Sequence, residues 1–198
     1  AANLESAASP DAPQVHDDIP NNTIFKGDFT TPDFEAAFDG AEHVIRERFR
    51  SGRVGGVPLE PRGCLALPEH GDGLVFYSST QVPHLLRTAL ARFMEHPESR
   101  IRVIVPEVGG GFGTKAQIYP EEFITAALAL KYRRPVKWIQ DRREELLTNI
   151  HARDHIFDVE SAFNGDCLVQ ALRADIAPHA GSHSARPFGC TLAPPAPA

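Results

Sequence analysis

The chain has 198 residues, of which 42% are hydrophobic and 23% are charged, a balance typical of a folded globular protein. The formal net charge of −6 argues against a nucleic-acid-binding surface, and no apolar run approaches the roughly 20 residues that cross a bilayer. Three cysteines without a C-x-x-C pair predict neither a disulfide framework nor a zinc cage, and they indicate a reducing, cytoplasmic compartment, with the periplasm as the alternative.

The first half of the chain is predicted to combine short strands with two helices. We expect residues 1–30 to form a linker or extended arm, because residues 1–22 are rich in Ala, Ser, Asp, Pro and Asn. The elements predicted after it are, in order, a helix that Thr31 caps and Gly40 ends, a strand over 42–54, a hairpin of Cys64–Leu67 and Leu74–Ser79 around Gly71-Asp72-Gly73, a helix over 82–94 and a strand over Ile101–Val105.

The second half begins with a glycine-rich loop and continues with helices and strands. The predicted elements are the loop Gly109–Gly113, a helix over 120–132 with the apolar stripe Phe123, Ala126, Ala127 and Leu130, a strand over Val136–Ile139, a solvated helix start at Asp141–Glu145, and paired strands over 154–163 and 168–177. Hairpins mixed with strand–helix–strand units predict an α+β domain with mixed sheets and packed helices. We expect this domain to cover residues 31–185, followed by a disordered Pro/Ala-rich tail over 186–198.

Four glycines in the five positions from Gly109 to Gly113 indicate a loop whose main chain approaches another group closely. Between a strand and a helix, the N–H groups of such a loop can converge on an anion or an oxo group, and a plain flexible turn is the alternative. A Walker A loop does not fit, because Thr114 precedes Lys115 rather than following it. A dinucleotide fingerprint does not fit either, because the third glycine of G-x-G-x-x-G is missing. A nucleotide-binding module is therefore only the weaker alternative.

Five stretches of the chain, in this order, carry a family resemblance: Pro58-Leu-Glu-Pro-Arg-Gly63, Ser78-Ser-Thr-Gln81, Gly109-Gly-Gly-Phe-Gly-Thr-Lys115, Tyr119-Pro-Glu-Glu122 and Pro135–Glu144. The third resembles the GGGFGxK loop of the xanthine dehydrogenase, aldehyde oxidase and aerobic carbon monoxide dehydrogenase family. The second resembles that family's S-T-Q segment and precedes the loop at the family's spacing. The resemblance covers about residues 40–180 and is closest to the bacterial three-subunit branch. It implies a partial molybdenum-cofactor-binding domain within a larger subunit.

The resemblance also implies which residues bind the cofactor. Gln81 is expected to donate a hydrogen bond to an oxygen ligand of molybdenum, since a neutral amide can do so without adding charge beside the metal. The main chain of Gly110, Gly111, Phe112 and Gly113 is expected to lie against the metal centre. Gln81 and Phe112 are therefore the predicted contacts to the molybdenum group, by hydrogen bond and by backbone.

The family reaction hydroxylates an aldehyde, an N-heterocycle or a related small molecule with oxygen from water, and the electrons pass to iron–sulfur clusters and FAD. The resemblance implies a molybdenum–molybdopterin cofactor in its cytosine dinucleotide form, with 2Fe-2S clusters and FAD on other subunits. The expected partners are those subunits and the remainder of the large subunit. Lys115-Ala116-Gln117 stands where purine-oxidising members place a glutamate, which argues against xanthine as substrate.

No catalytic residue is expected in this chain, because the glutamate base of the family lies downstream of residue 198. We therefore expect a fragment that is inactive alone and poorly soluble, since its half of the cofactor site would expose apolar surface. A non-catalytic assembly partner, in which another polypeptide supplies the base, is the alternative.

Several other side chains invite an interpretation. Two histidine pairs have the four-residue spacing of some zinc ligands, but surface or hydrogen-bonded histidines are favoured; they are His151 with His155 and His179 with His183. A buried ion pair between Glu60 and Arg62 is predicted. Cys64 and Cys167 are predicted to be small buried hydrophobic residues, and Trp138 is predicted to lie in the core.

Overall fold

The computed structural model describes residues 4–24, 26–179 and 181, which divide into two compact units. Of these residues, unit 1 holds those up to Arg53 and those from Arg153 onward, and unit 2 holds Val54–Ala152. The helices are α1 (Leu4–Ala7), α2 (Phe34–Asp39), α3 (Pro83–Phe93), α4 (Pro120–Tyr132) and α5 (Arg142–Thr148). The strands are β1 (His43–Gly55), β2 (Gly63–Pro68), β3 (Leu74–Ser78), β4 (Ile101–Ile104), β5 (Val136–Ile139), β6 (His151–Phe163) and β7 (Val169–Pro178).

Unit 2 contains a four-stranded mixed sheet with the order β4-β3-β2-β5. Strand β2 pairs antiparallel with both β3 and β5. Strand β3 pairs parallel with β4, and the chain between these two strands contains α3. The β2–β3 turn is the predicted one, and its Gly71 has a φ of 73° that favours glycine. Helices on a mixed sheet confirm the predicted α+β class.

The core of unit 2 lies between this sheet and helices α3 and α4. Phe76 and Leu74 of β3 are fully buried, and α3 contributes Leu86 and Leu90 at a spacing of one helical turn. Leu86 and Leu90 belong to the apolar residues at three- and four-residue spacing that predicted the helix. Leu85 and Phe93 of the same set are exposed, so the predicted apolar face is only partly buried.

The buried face of α4 differs from the predicted stripe. Ala127 is exposed, while Thr125 and Ala129 are buried beside Ala126, and so is Glu122. The spacing is still helical, but two of the buried positions carry polar side chains. The pattern of apolar residues alone therefore predicted a buried face that is rotated about the helix axis from the observed one.

Unit 1 contains a three-stranded sheet with the order β1-β6-β7. Strands β6 and β7 pair antiparallel, with an irregularity at Ala162 and Phe163. The predicted turn between them is held by the side chain of Asn164, whose Oδ1 accepts the N–H groups of Asp166 and Leu168. Along β6 the buried positions include Ile156 and Ala162, on the face opposite Phe157.

Local structure is present within the predicted N-terminal arm. It comprises α1 and a 3-10 turn at Pro20–Asn22, and the Asn22 amide donates to the carbonyls of Ala7 and Pro13. Helix α2 begins at Phe34 with Asp33 as its N-cap, two residues later than the predicted Thr31 cap. The extent of the arm stays a prediction, and the predicted tail over 186–198 lies outside the described residues.

Among the residues that the structure describes, no helix is both long and apolar enough to cross a membrane.

Candidate functional site

The glycine-rich loop follows β4 and leads into a 3-10 turn at Thr114–Ala116. Its main chain turns in the left-handed region at three positions, with φ of 96° at Gly110, 49° at Phe112 and 86° at Gly113. Glycine adopts this region without penalty, whereas Phe112 adopts it at a steric cost. The Phe112 residue is 77% exposed, so hydrophobic packing within unit 2 does not explain its conformation.

The side chain of Gln81 lies against this loop. Its Oε1 accepts the N–H of Gly113 at 3.1 Å, and its own backbone N–H donates to the Lys115 carbonyl at 2.8 Å. A Cβ on Gly111 would lie 2.4 Å from the same Oε1, so a larger residue at this position would force the amide to move. The structure thus brings together the residues that the sequence predicted as the site: Gln81, Gly110, Gly111, Phe112 and Gly113.

This arrangement leaves hydrogen-bond donors free around the loop. Because Oε1 of Gln81 bonds to the loop, its Nε2 remains, and it has no acceptor within residues 4–24, 26–179 and 181. The same holds, over those residues, for the backbone N–H groups of Gly111 and Phe112. The donors are uncharged, and such a set suits the oxygens of an oxo or phosphate group.

Both ends of the loop contact one carboxylate. The Oε2 of Glu60 accepts the N–H of Gly109 at 2.8 Å and the Nζ of Lys115 at 2.7 Å, and the Glu60 N–H donates to the Gly109 carbonyl. Burial raises the pKa of Glu60, but the hydrogen bonds from Lys115 and Gly109 outweigh it and hold the pKa below its ordinary value. Glu60 is therefore an anion that neutralises a buried lysine.

The predicted ion pair between Glu60 and Arg62 is wrong. Arg62 is buried and pairs instead with Glu121 at 3.3 Å, while its guanidinium lies 3.4 Å from the centre of the Tyr119 ring. The same guanidinium lies 5.2 Å from the centre of the Trp138 ring. Trp138 is partly buried and packs against the core. Neighbours in sequence on either side of a proline thus point to different partners.

The chain before Glu60 supports the other side of the loop. A Cβ on Gly56 would lie 3.0 Å from the carbonyl oxygen of Phe112, so the two backbones are in close contact. The hydroxyl of Thr114 donates to the Gly111 carbonyl at 2.7 Å, which tightens the loop. Arg142 of α5 donates to the carbonyl of Leu59 and so connects that helix to the same segment.

Sequence reasoning missed the role of Glu60 and Lys115 as a pair. The available signal was that two oppositely charged residues occur in two of the family-like motifs, Pro58–Gly63 and Gly109–Lys115. Opposite charges in separate motifs that converge on one site are candidates for pairing.

The structure describes His151, His155 and His179 of the two candidate histidine pairs. No group of three His, Cys, Asp or Glu residues within the described part of the chain could hold a metal ion. His179 contacts Arg53 and Asp154, whereas His183 lies outside the described residues. Hydrogen bonding therefore accounts for His179 without a metal.

The two cysteines that the structure describes have different environments. Cys64 is buried as predicted, and burial raises the pKa of its thiol to about 11. Cys167 is exposed, so its predicted burial is wrong. It lies between β6 and β7 with a φ of 61°, where the connecting turn faces solvent.

Comparison with known proteins gives the family. A family model described as the molybdopterin cofactor-binding domain matches residues 15–193. The chain is 36% identical over 176 residues to the nicotine 6-hydroxylase large subunit of Paenarthrobacter nicotinovorans, covering 88% of this chain and 22% of that protein. It is 34% identical over 196 residues to the carbon monoxide dehydrogenase large chain of Hydrogenophaga pseudoflava, covering 90% of this chain and 24% of that one.

Solved structures agree with this assignment. The carbon monoxide dehydrogenase of Oligotropha carboxidovorans superposes with a TM-score of 0.81 at 31% identity, over 88% of this chain and 24% of that chain. The quinoline 2-oxidoreductase of Pseudomonas putida 86 gives 0.72 at 37% identity, over 78% and 20%. The chain thus spans less than a quarter of the length of these relatives. It belongs to the molybdopterin cofactor-binding domain family, among the xanthine dehydrogenase, carbon monoxide dehydrogenase and aldehyde oxidoreductase proteins.

Proposed function

We propose that this chain forms the part of a molybdenum hydroxylase large subunit that holds the metal end of the cofactor. The observation that carries the proposal is the meeting of the Gln81 amide with the Gly110–Gly113 backbone, with Nε2 and two loop N–H groups left as donors. When bound, the cofactor supplies the redox and oxygen-transfer chemistry. The chain's own residues bind and orient it.

The chemistry of the donors fits such a group. The hydrogen bond from the Gly113 N–H to Oε1 of Gln81 orients the amide and leaves its Nε2 as a neutral donor. Glycine at position 111 lets this amide approach the main chain. The charge of Lys115 is balanced by Glu60, so the donors act through dipoles rather than through net charge.

The finer features of the function follow the same proposal. We expect the cytosine dinucleotide form of the cofactor, partner subunits that carry 2Fe-2S clusters and FAD, and a cytoplasmic location. The substrate is expected to be an aldehyde, an N-heterocycle or a related small molecule. The absence of a glutamate in Lys115–Gln117 supports a substrate other than a purine. The catalytic base is expected in the remainder of the subunit.

The nucleotide-module alternative is less well supported. A phosphate-binding lysine must reach its ligand, but the Lys115 side chain is 1% exposed and its Nζ contacts Glu60. The loop therefore offers backbone groups without an accessible cation. An assembly role without catalysis stays compatible with the same geometry, since it uses the same cofactor contacts.

The test uses the complete large subunit, assembled with its partner subunits. We expect Gln81→Ala to lower kcat by about 100-fold, the usual effect of removing one donor aimed at the reacting group. The matched control is Gln14→Ala, which alters an exposed glutamine of unit 1. Molybdenum and the pterin nucleotide are measured by metal analysis and chromatography. An assembled wild-type complex without molybdenum, or a Gln81→Ala enzyme as active as the wild type, would refute the proposal.

A further inference from the structure

One ion pair outside the predicted cofactor contacts lies at the base of the loop. We propose that Glu60 and Lys115, here called the loop clasp, are positioning residues that hold the glycine loop in the conformation that receives the cofactor. This inference rests on the proposed function and assigns a role to two side chains that do not contact the cofactor donors directly.

The geometry joins the two ends of the loop through one atom. Oε2 of Glu60 accepts from Gly109, where the loop begins, and from Lys115, in the 3-10 turn that directly follows the loop. The Glu60 backbone N–H adds a third bond, to the Gly109 carbonyl at 3.1 Å. A Cβ on Gly109 would lie 2.7 Å from the Glu60 Cβ, so the first glycine is needed for this contact. The clasp therefore closes the loop at its base.

The composition of the loop explains why a clasp is needed. Glycine loses more conformational freedom on ordering than any other residue, and the loop contains four glycines in five positions. The loop also contributes little apolar burial, because Phe112 is exposed. Contacts at its ends must then supply much of its order, and the clasp joins those ends directly.

Lys115 also connects the clasp to the amide. Its carbonyl accepts the backbone N–H of Gln81 at 2.8 Å and the hydroxyl of Thr80 at 3.2 Å. A displacement of Lys115 would thus move Gln81 as well as the loop. The clasp sets the distance between the two sides of the site.

The burial of Lys115 makes its carboxylate partner hard to replace with water. The Lys115 side chain is almost fully buried, and Glu60 is the one partner of its Nζ within the described residues. An unpaired buried ammonium is strongly unfavourable, so loss of Glu60 must displace Lys115 or admit solvent. Either response disturbs the end of the loop.

Hydrogen exchange of the full large subunit, without cofactor and in the assembled enzyme, tests the clasp. We expect Glu60→Ala to accelerate exchange over residues 109–115 about tenfold. Glu60→Gln keeps an acceptor for Gly109 and should restore part of the protection. The control is Glu98→Ala, which breaks the pair with Arg87 in unit 2 and has the same side-chain exposure, 40%.

A second measurement follows cofactor retention. We expect the molybdenum-to-protein ratio of the assembled enzyme to fall by at least about half in Glu60→Ala and to match the wild type in Glu98→Ala. If Glu60→Ala does not fold, Glu60→Ala/Lys115→Met removes the unpaired charge and gives the same readouts. Unchanged exchange over 109–115 would overturn the clasp. Exchange does not require bound metal, so a metal-free wild type would refute the proposed function alone.

Discussion

Glu122 is a carboxylate buried in the core of unit 2. Its Oε1 accepts the hydroxyl of Ser78 at 2.7 Å, and its Oε2 accepts the N–H of Tyr119 at 3.1 Å. Burial raises the pKa of Glu122 above its ordinary value, and these bonds only partly offset that effect. The same residue tightens the start of α4, where a negative charge suits the helix dipole.

This environment predicts a pH-dependent effect of Glu122→Gln. Since the folded-state pKa lies above the ordinary 4.5, the carboxyl stabilises the fold fully below that pH and loses this contribution as the pH rises through the folded-state pKa. We expect the variant to gain stability over the wild type as the pH rises toward 8, on the order of 1 kcal/mol, and to lose that gain as the pH falls below the ordinary pKa of 4.5.

The measurement is hydrogen exchange of α4 in the complete large subunit, as the ratio of variant to wild type at each pH. Glu107→Gln is the control, because Glu107 is exposed. A ratio for Glu122→Gln that does not vary with pH would contradict the prediction.

Single residues also show where sequence reasoning succeeds and where it stops. The meeting of Gln81 with the glycine loop was predictable, because the family resemblance of the motifs that contain them implies it. The partner of Glu60 was harder to predict. Opposite charges in two motifs marked Lys115 as a candidate, but the choice between Lys115 and Arg62 depends on distances between segments 55 residues apart in the chain. Cys167 was misassigned for a similar reason, since exposure in a turn leaves no periodic signal.

Among the elements, the loop and the segment carrying Gln81 are the most sensitive to added volume. Gly111→Ala would place a methyl group 2.4 Å from Oε1 of Gln81, so the amide must move. The displaced amide would lose its position against the loop, and we expect the assembled enzyme to retain cofactor about tenfold less well.

The control for this substitution is Gly52→Ala in β1, where an added Cβ meets nothing within 4 Å. Cofactor retention is measured as molybdenum per protein after gel filtration. If both variants retain molybdenum equally, the close approach of Gln81 to Gly111 is not needed for cofactor binding.

The elements themselves were largely predictable from periodicity. Helix α4 and strand β5 begin and end at the predicted residues, because apolar spacing and a proline at the helix start mark them. The antiparallel pairing of β2 with β5 has no local signature in the sequence. Buried polar residues such as Thr125 were missed because their hydrogen bonds form only in the fold.

At the scale of the whole chain, many large apolar side chains are exposed. Leu59 is 91% exposed and Leu147 74%, and Phe112 joins them at the loop. Surface of this kind favours association with other protein. The exposure agrees with a chain that spans less than a quarter of its relatives' length.

We therefore expect the isolated 198-residue chain to self-associate and to bind a hydrophobic dye. Light scattering and dye fluorescence measure the two effects, and the complete large subunit within its complex is the comparison. A monomeric chain that unfolds in one cooperative transition without binding dye would contradict this expectation.

Trp138 gives the chain an optical property that follows from its position. It is the sole tryptophan of the sequence, it belongs to unit 2, and its ring lies near the Arg62 guanidinium. Indole emission excited selectively at the red edge of absorption will thus come from unit 2 alone, with unit 1 spectroscopically silent. Denaturant unfolding followed by that emission therefore reports on the unit that carries the glycine loop, with no label added.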